Sequence, residues 1–407
     1  MYGLLGRKLG HSLSPEIHSL FGSYPYKLFC REENELDSFF NDKSITAFNV
    51  TIPYKVEAFN RCDEVSEIAK KIGSVNTVVR RADGTLYGDN TDYFGFMKTA
   101  ENFGADFSGK KVLILGSGGA SLTVQAVARD CGAKEIVVVS RKGENNYNNI
   151  ANHFDADIIV NATPVGMFPN NEKKLIELTK FSRVQCVLDL IYNPLKTSLL
   201  LEAERLGIKY GNGLYMLAAQ GLRSSEIFTG KKLDEKLIDI AYKKITEQSR
   251  SIVLIGMPGC GKTTVGKIIA KKLSKNFIDT DRKIVEKTGK NISEIFEEKG
   301  EKFFRKIEAE TVAEATKNLG CVIATGGGAI IKKENRLAMK QNGIIVYIMR
   351  DLSKLKRTGR PLSSDADKLK KLYSERKEIY EELADITVMA ADTVEETAER
   401  VMKCLYL

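Results

Sequence analysis

Two glycine-rich loops carry the clearest chemistry, each following an apolar run and preceding a helical pattern. Gly256-Met-Pro-Gly259-Cys260-Gly261-Lys262-Thr263 has the complete G-x-x-x-x-G-K-[ST] form that grips nucleoside triphosphate phosphates. Backbone amides of Gly259, Cys260, Gly261, Lys262, Thr263 and Thr264 are placed to cradle phosphate oxygens, with the Lys262 ammonium on the β/γ oxygens and the Thr263 hydroxyl on Mg²⁺. Gly116-Ser117-Gly118-Gly119-Ala120-Ser121 has the form of a dinucleotide loop, although its sixth position is Ser121 and not Gly or Ala. One chain is thus expected to hold a redox site and a phosphoryl-transfer site.

Polar clusters surround the first loop. Ser12 and Ser14 precede a Pro-initiated helix, where Ser also serves as an ordinary N-cap. Asn49-Val-Thr51-Ile-Pro-Tyr-Lys55 puts a lysine after an extended segment whose direction proline fixes. Gly73-Ser-Val-Asn76-Thr77 and Gly88-Asp-Asn-Thr91-Asp92 follow. Hydroxyl, amide, ammonium and carboxylate groups at strand ends suit a small polyhydroxylated acid. Downstream of the second loop stand Asp279 and Asp281, then Arg305, the run Gly326-Gly327-Gly328, Arg357, Arg360 and Arg376. A GTPase base-reading N-K-x-D motif is absent.

The elements that must position these residues alternate between buried strands and helices, which predicts α/β architecture with largely parallel sheets. Lys111 to Leu115, Glu135 to Ser140, Asp157 to Asn161 and Val184 to Leu190 read as strands of a doubly wound nucleotide domain. At 407 residues the chain is too long for one typical core. The expected division is 1–248 and 249–407, joined by a short segment near 246–250. Within the first part, 1–94 and 213–245 form a substrate domain and 95–212 a Rossmann-like domain.

Composition bounds the class. An apolar fraction of 43% and a charged fraction of 28% are ordinary for a soluble globular protein, and no apolar run reaches bilayer-spanning length. The seven cysteines never approach C-x-x-C spacing, which argues against a metal knuckle and suits a reducing cytoplasm. The net charge of +9 is spread over mixed Lys/Glu helices, so small anionic molecules are expected as partners, not nucleic acid or membrane.

The ordered set SLSP, NVTIPYK, GSVNT, GDNTD, GSGGAS, NATPVGM, DLIYNP and NGLYMLAAQ resembles shikimate dehydrogenases from about Gly3 to Lys243. The resemblance implies reversible reduction of 3-dehydroshikimate with a nicotinamide cofactor. It places Lys55 and Asp92 as an acid/base pair. It assigns Ser12 and Ser14 to the substrate carboxylate, and Thr51, Asn76, Asp92, Tyr192 and Gln220 to its hydroxyls or carboxylate. Glu67, Leu190 and Gly213 fall at positions bordering the cofactor, beside the Gly116–Ala120 loop. After the second strand stand Ser140, Arg141 and Lys142, with no acid until Glu144. Cations there favour NADP(H), whose 2′-phosphate they accept, over NAD(H). The family's usual segment is Asn-Arg-Thr, so Ser140 and Lys142 depart from it. The alternatives are a quinate/shikimate enzyme using NAD, or a shikimate-binding regulatory module without turnover.

From Ser251 to about Leu405 the chain resembles shikimate kinases, whose P-loop sheet is of the nucleoside-monophosphate-kinase type. The resemblance implies ATP- and Mg²⁺-dependent phosphorylation of the shikimate 3-hydroxyl. Asp281 is expected at the attacking hydroxyl, Asp279 near Mg²⁺ through water, and Arg305, Arg376 and Gly327 at the carboxylate. Arg360, on the lid, is expected over the ATP phosphates. Only Thr358 and Gly359 separate Arg357 from Arg360, a shorter lid than the family's usual one. The product of the front half would then be the substrate of the back half.

Overall fold

The computed structural model describes residues 1–10, 12–355 and 366–405. They form two compact units, Met1–Met167 with Lys174–Tyr192 and Glu202–Thr246, and Phe168–Lys173 with Asn193–Leu201 and Glu247–Leu407.

The first unit contains two sheets. One comprises β1 (Tyr2–Gly6), β2 (Tyr26–Cys30), β3 (Ala47–Val50), β4 (Glu64–Val65), β5 (Thr77–Arg80) and β6 (Leu86–Asp89), in spatial order β2-β1-β3-β5-β6-β4. β5 runs antiparallel to both β3 and β6, and the remaining pairings are parallel. The other comprises β7 (Lys111–Leu115), β8 (Glu135–Val139), β9 (Ile158–Asn161), β10 (Cys186–Asp189) and β11 (Lys209–Asn212). It is wholly parallel, ordered β11-β10-β9-β7-β8. Its strand order reverses between β9 and β7, the switch point at which doubly wound folds open a ligand crevice. β7 and β9 read as continuous apolar runs because helices cover both faces. All four residues of β9 and the last four of β7 are buried. The helix Gly213–Thr229 begins with Asn212 as N-cap, whose Oδ1 accepts from the Leu214 amide, and ends at Gly230 in the left-handed region.

The second unit holds a third parallel sheet, β12 (Ser251–Ile255), β13 (Phe277–Asp279), β14 (Val322–Ala324), β15 (Gly343–Met349) and β16 (Ile386–Met389), ordered β13-β14-β12-β15-β16. Its core gathers Val253, Leu254, Ile255, Ile269, Ile323, Val346 and Tyr347. Segments 168–173 and 193–201, expected within the dinucleotide domain, belong instead to this unit. Here the Leu195 amide donates to Asn342 Oδ1 at 2.8 Å, and Gln341 Nε2 donates to the Asn171 carbonyl at 2.8 Å. Amide side chains thereby satisfy backbone groups that burial would otherwise strand. No helix among the described residues is long and apolar enough to cross a membrane.

Candidate active sites

A cavity of about 460 Å³ opens between the two sheets of the first unit. Its lining brings together Ser12, Ser14, Thr51, Lys55, Asn76, Asp92, Tyr192 and Gln220, all singled out in the sequence. All but Gln220, which lies within the helix Gly213–Thr229, arrive at or near the end of an element. Ser14 opens the helix Ser14–Phe21, Lys55 opens Lys55–Arg61, and Asp92 sits in the first turn of Thr91–Phe103. An acid in a first turn is favoured by the helix dipole. Lys55 Nζ donates to Asp92 Oδ2 at 2.5 Å, with the two side chains 28% and 15% exposed. Burial raises the Tyr192 phenol above its usual range, so it remains a neutral hydroxyl. Ser12 Oγ accepts from the Ser14 amide at 3.2 Å, a local turn bond of the kind an N-cap makes.

Ala120, Leu190 and Gly213, expected at the cofactor, line this same cavity. Gly213 is required by contact: a Cβ there would stand 2.0 Å from the Leu190 carbonyl oxygen. The sequence had not assigned Lys8, Asn49, Met216 or Leu217, which also line it. Asn49 lay inside a quoted motif, but nothing in its spacing showed which way it pointed.

A second cavity, about 710 Å³, lies at the carboxyl ends of β7, β8 and β9. Gly116, Ser117 and Gly118 come from the first, Ser140, Arg141 and Lys142 from the second, and Ala162, Thr163, Pro164 and Val165 from the third. Gly119 begins the helix Gly119–Asp130, whose N-terminal amides face an anion site by construction. Ser121 is fully buried and accepts from Gln125 Nε2 at 3.1 Å, so the departure from glycine is accommodated by a hydrogen bond. No carboxylate is among the lining residues, and two cations are. The donor set therefore fits a phosphorylated dinucleotide. Glu67 lines neither cavity: it begins the helix Glu67–Ile72, is 88% exposed and pairs with Lys70 at 2.7 Å. Helical periodicity turns it toward solvent.

In the second unit a cavity of about 330 Å³ gathers Gly259, Gly261, Lys262, Thr263 and Thr264 after β12, Asp281 after β13, Gly326, Gly327 and Gly328 after β14, and Arg350 after β15. Arg305 and Glu308 enter from the helix Ile292–Thr316, and Arg376 from Ala366–Leu383. Lys262 is buried, with Nζ donating to the Gly256 and Met257 carbonyls at 2.9 and 3.0 Å. Cys260 is buried beneath the loop, so only its backbone can serve a ligand. Thr263 Oγ1 donates to Asp279 Oδ2 at 2.7 Å, and Asp279 also caps the helix Thr280–Thr288. No cluster of three or more metal-binding side chains exists among the described residues.

The two arginines differ. Arg305 donates to Glu308 at 2.7 Å and to Glu301 at 2.9 Å. Burial pushes the Glu308 carboxyl above its usual range, against the pull of Arg305. Arg376 has no ion pair with a carboxylate among the described residues, and its Nε is buried without a hydrogen-bond partner. Burial lowers its pKa, and repulsion from Arg305 adds to the shift. A Cβ at Gly328 would lie 2.2 Å from an Arg305 terminal nitrogen, so a side chain there would push that guanidinium aside. The Tyr380 hydroxyl donates to the Gly327 carbonyl at 2.5 Å, leaving the peptide fixed at the cavity wall. Arg350, Val394, Phe296 and Phe304 line the site without having been singled out; Arg360 lies outside the described residues.

These arrangements define an α/β enzyme with an oxidoreductase site and a P-loop phosphotransferase site. The shikimate dehydrogenase substrate-binding domain model matches residues 4–78, and the shikimate kinase family model matches residues 258–406. An NADP(+) shikimate dehydrogenase of Clostridium perfringens is 36% identical over 266 residues, covering 60% of this chain and 98% of the relative. A chorismate mutase/shikimate 5-dehydrogenase fusion from Clostridium acetobutylicum superimposes with a TM-score of 0.58 at 37% identity, covering 60% of this chain and 97% of the other. A quinate dehydrogenase of Corynebacterium glutamicum in complex with NAD gives 0.55 at 26% identity, covering 60% and 97%. The chain belongs to the shikimate dehydrogenase family over its front three fifths and continues into a shikimate kinase domain.

Proposed function

We propose that the chain performs consecutive steps, NADPH-dependent reduction of 3-dehydroshikimate to shikimate and Mg·ATP-dependent phosphorylation of shikimate to shikimate 3-phosphate. The observation that carries this reading is that each unit holds its own cavity, one with a Lys–Asp pair among hydroxyls and one with a P-loop beside Asp281 and two arginines.

When bound, the reduced nicotinamide supplies a hydride. The alkoxide left on the ketone carbon takes a proton from the Lys55 ammonium, and Asp92 holds that ammonium and a substrate hydroxyl. Ser12 and Ser14 bind the carboxylate, while Thr51, Asn76, Tyr192 and Gln220 fix the ring oxygens. Ala120, Leu190 and Gly213 form the wall at which cofactor and substrate meet, and the Gly116–Ala120 loop carries the pyrophosphate. In the second unit Asp281 orients the 3-hydroxyl and accepts its proton, and Arg305, Arg376 and the Gly327 amide hold the carboxylate. Lys262 and the Gly259–Thr264 amides would hold the phosphates, and Thr263 and Asp279 would hold Mg²⁺, which would neutralise charge on the transferring phosphoryl group. Lid residue Arg360 completes the phosphate-side charge.

The test follows NADPH loss with 3-dehydroshikimate, then adds Mg·ATP. Further NADPH loss together with shikimate 3-phosphate supports both sites. Reduction without phosphorylation overturns the kinase assignment, and phosphorylation of added shikimate without NADPH loss overturns the dehydrogenase assignment; NADH and quinate in parallel decide the cofactor and substrate.

Cofactor choice makes a separate prediction. Arg141→Ala is expected to raise the KM for NADPH by roughly tenfold or more, the loss of a charge-assisted contact, while the poorer KM for NADH hardly moves. Equal changes with both cofactors would rule out a 2′-phosphate contact at this residue.

A further inference from the structure

Beneath the front cavity three hydroxyls meet in a closed triangle. Thr77 Oγ1, Thr91 Oγ1 and Ser224 Oγ lie 3.0–3.1 Å from one another and are 0%, 1% and 0% exposed. They come from β5, from the residue that opens the Thr91–Phe103 helix, and from the Gly213–Thr229 helix. No charge is present among them.

The triangle fixes an amide. Asn76 Oδ1 accepts from the Thr91 backbone amide at 2.7 Å and lies 3.1 and 3.0 Å from the Thr91 and Thr77 hydroxyls, each of which has one proton to give either to it or to a neighbour in the triangle. A backbone N–H only donates, so the atom facing Thr91 must be the oxygen and not the nitrogen. Nδ2 is thereby turned the other way, and it makes no hydrogen bond within the described residues although Asn76 lines the cavity. Asn49 is held oppositely: its Nδ2 donates to Ser224 Oγ at 2.8 Å, Thr77 Oγ1 at 3.0 Å and the Asn76 carbonyl at 3.2 Å. Its Oδ1 accepts from the Tyr26 hydroxyl at 2.8 Å. Asn49 therefore serves the network, and Asn76 serves the cavity.

The same triangle reaches two further cavity residues. Thr91 immediately precedes Asp92, and Ser224 Oγ donates to the carbonyl of Gln220 at 2.8 Å. We infer that Thr77, Thr91 and Ser224 are positioning residues of the front site, which lock Asn76 as a pure donor toward an oxygen acceptor of the substrate and register Asp92 and Gln220 against it. This rests on the dehydrogenase reading and adds residues that touch no substrate themselves. A lone acceptor-facing donor discriminates strongly, because a substrate lacking the matching oxygen leaves a buried N–H unpaired.

The experiment compares Thr91→Val, Thr91→Ser and Ser224→Ala in the full chain, with wild type alongside. Thr91→Val and Ser224→Ala are expected to raise the KM for shikimate about 5- to 100-fold, the range for one broken buried hydrogen bond, with the KM for NADP+ changed little. Thr91→Ser, which keeps the hydroxyl, restores most of the loss. An unchanged KM for NADP+ and an unshifted thermal melt check that the first unit is folded, and the kinase activity of the same molecules checks the second. Equal impairment of Thr91→Val and Thr91→Ser, or KM values for shikimate and NADP+ rising together, would overturn the proposal. Shikimate titration of the same variants in an Arg376→Met background, which silences the rear site, reads the network without turnover. Wild-type turnover reports separately on the dehydrogenase reading.

Discussion

Lys55→Met is expected to slow 3-dehydroshikimate reduction by about 10²- to 10⁴-fold, the span of one general acid/base, while the kinase reaction of the same molecule proceeds as before. Lys55 and Asp92 touch at 2.5 Å and both side chains remain partly open to the cavity. Methionine preserves the length and apolar stem of lysine and removes only the ammonium. Asp92 retains solvent access, so its loss of a partner is a modest cost to folding compared with the loss of a proton donor at the reacting oxygen. Shikimate binding in an Arg376→Met background should weaken far less than turnover. Reduction that survives Lys55→Met within a few-fold would move the acid/base role to another residue.

The second large effect separates two arginines that occupy one cavity. Arg376→Met should raise the kinase KM for shikimate by roughly 100-fold, as expected when a charge-assisted, buried contact is removed, with no fall in thermal stability. Its guanidinium is buried, bears no ion pair among the described residues and carries an unpartnered Nε, so the folded chain bears a desolvation cost that a substrate carboxylate would relieve. Arg305→Met should impair the same step and also destabilise the second unit by about 3–5 kcal/mol, because Glu308, 1% exposed, loses its hydrogen-bonded ion-pair partner and keeps only the more distant pull of Arg376 and Lys332. Thermal melts of both variants decide the matter. If Arg376→Met melts as low as Arg305→Met, the division of labour between them is wrong.

Much of this was legible in the sequence, for reasons that differ by residue. Strand β7 was readable to the residue because a strand buried on both faces is an uninterrupted apolar run, and the loop after it announces itself by glycine. The P-loop was readable because phosphate chemistry demands few residue types at fixed spacings, whereas the roles of Arg305 and Asp281 came from the resemblance to shikimate kinases. Glu67 was placed near the cofactor by motif position alone, and the helix it opens turns it to solvent. Arg350 and Val394 escaped notice since they sit at ordinary strand and helix ends and meet the cavity only through the order β13-β14-β12-β15-β16. Segments 168–173 and 193–201 were assigned by chain order, whereas their partners Gln341 and Asn342 lie well over a hundred residues away. Local pattern carries no information about such pairings. The hydroxyl triangle is equally invisible, since Thr77, Thr91 and Ser224 are unremarkable singly and acquire meaning from one another.

Ser12, Ser14 and Tyr192 present hydroxyls in the front cavity, with ammonium groups on Lys8 and Lys55 beside them, whereas the rear cavity presents guanidinium groups on Arg305 and Arg376. On the proposed function the same acid is recognised in two unrelated ways within one gene product. Selection acting on one way of holding it leaves the other untouched, so drift toward a different acid in either cavity would strand the downstream or upstream partner. Fusion of the reading frames ties together the abundance of the two activities, and the dissimilar anchors mean that their specificities must be maintained by separate lineages of compensating change.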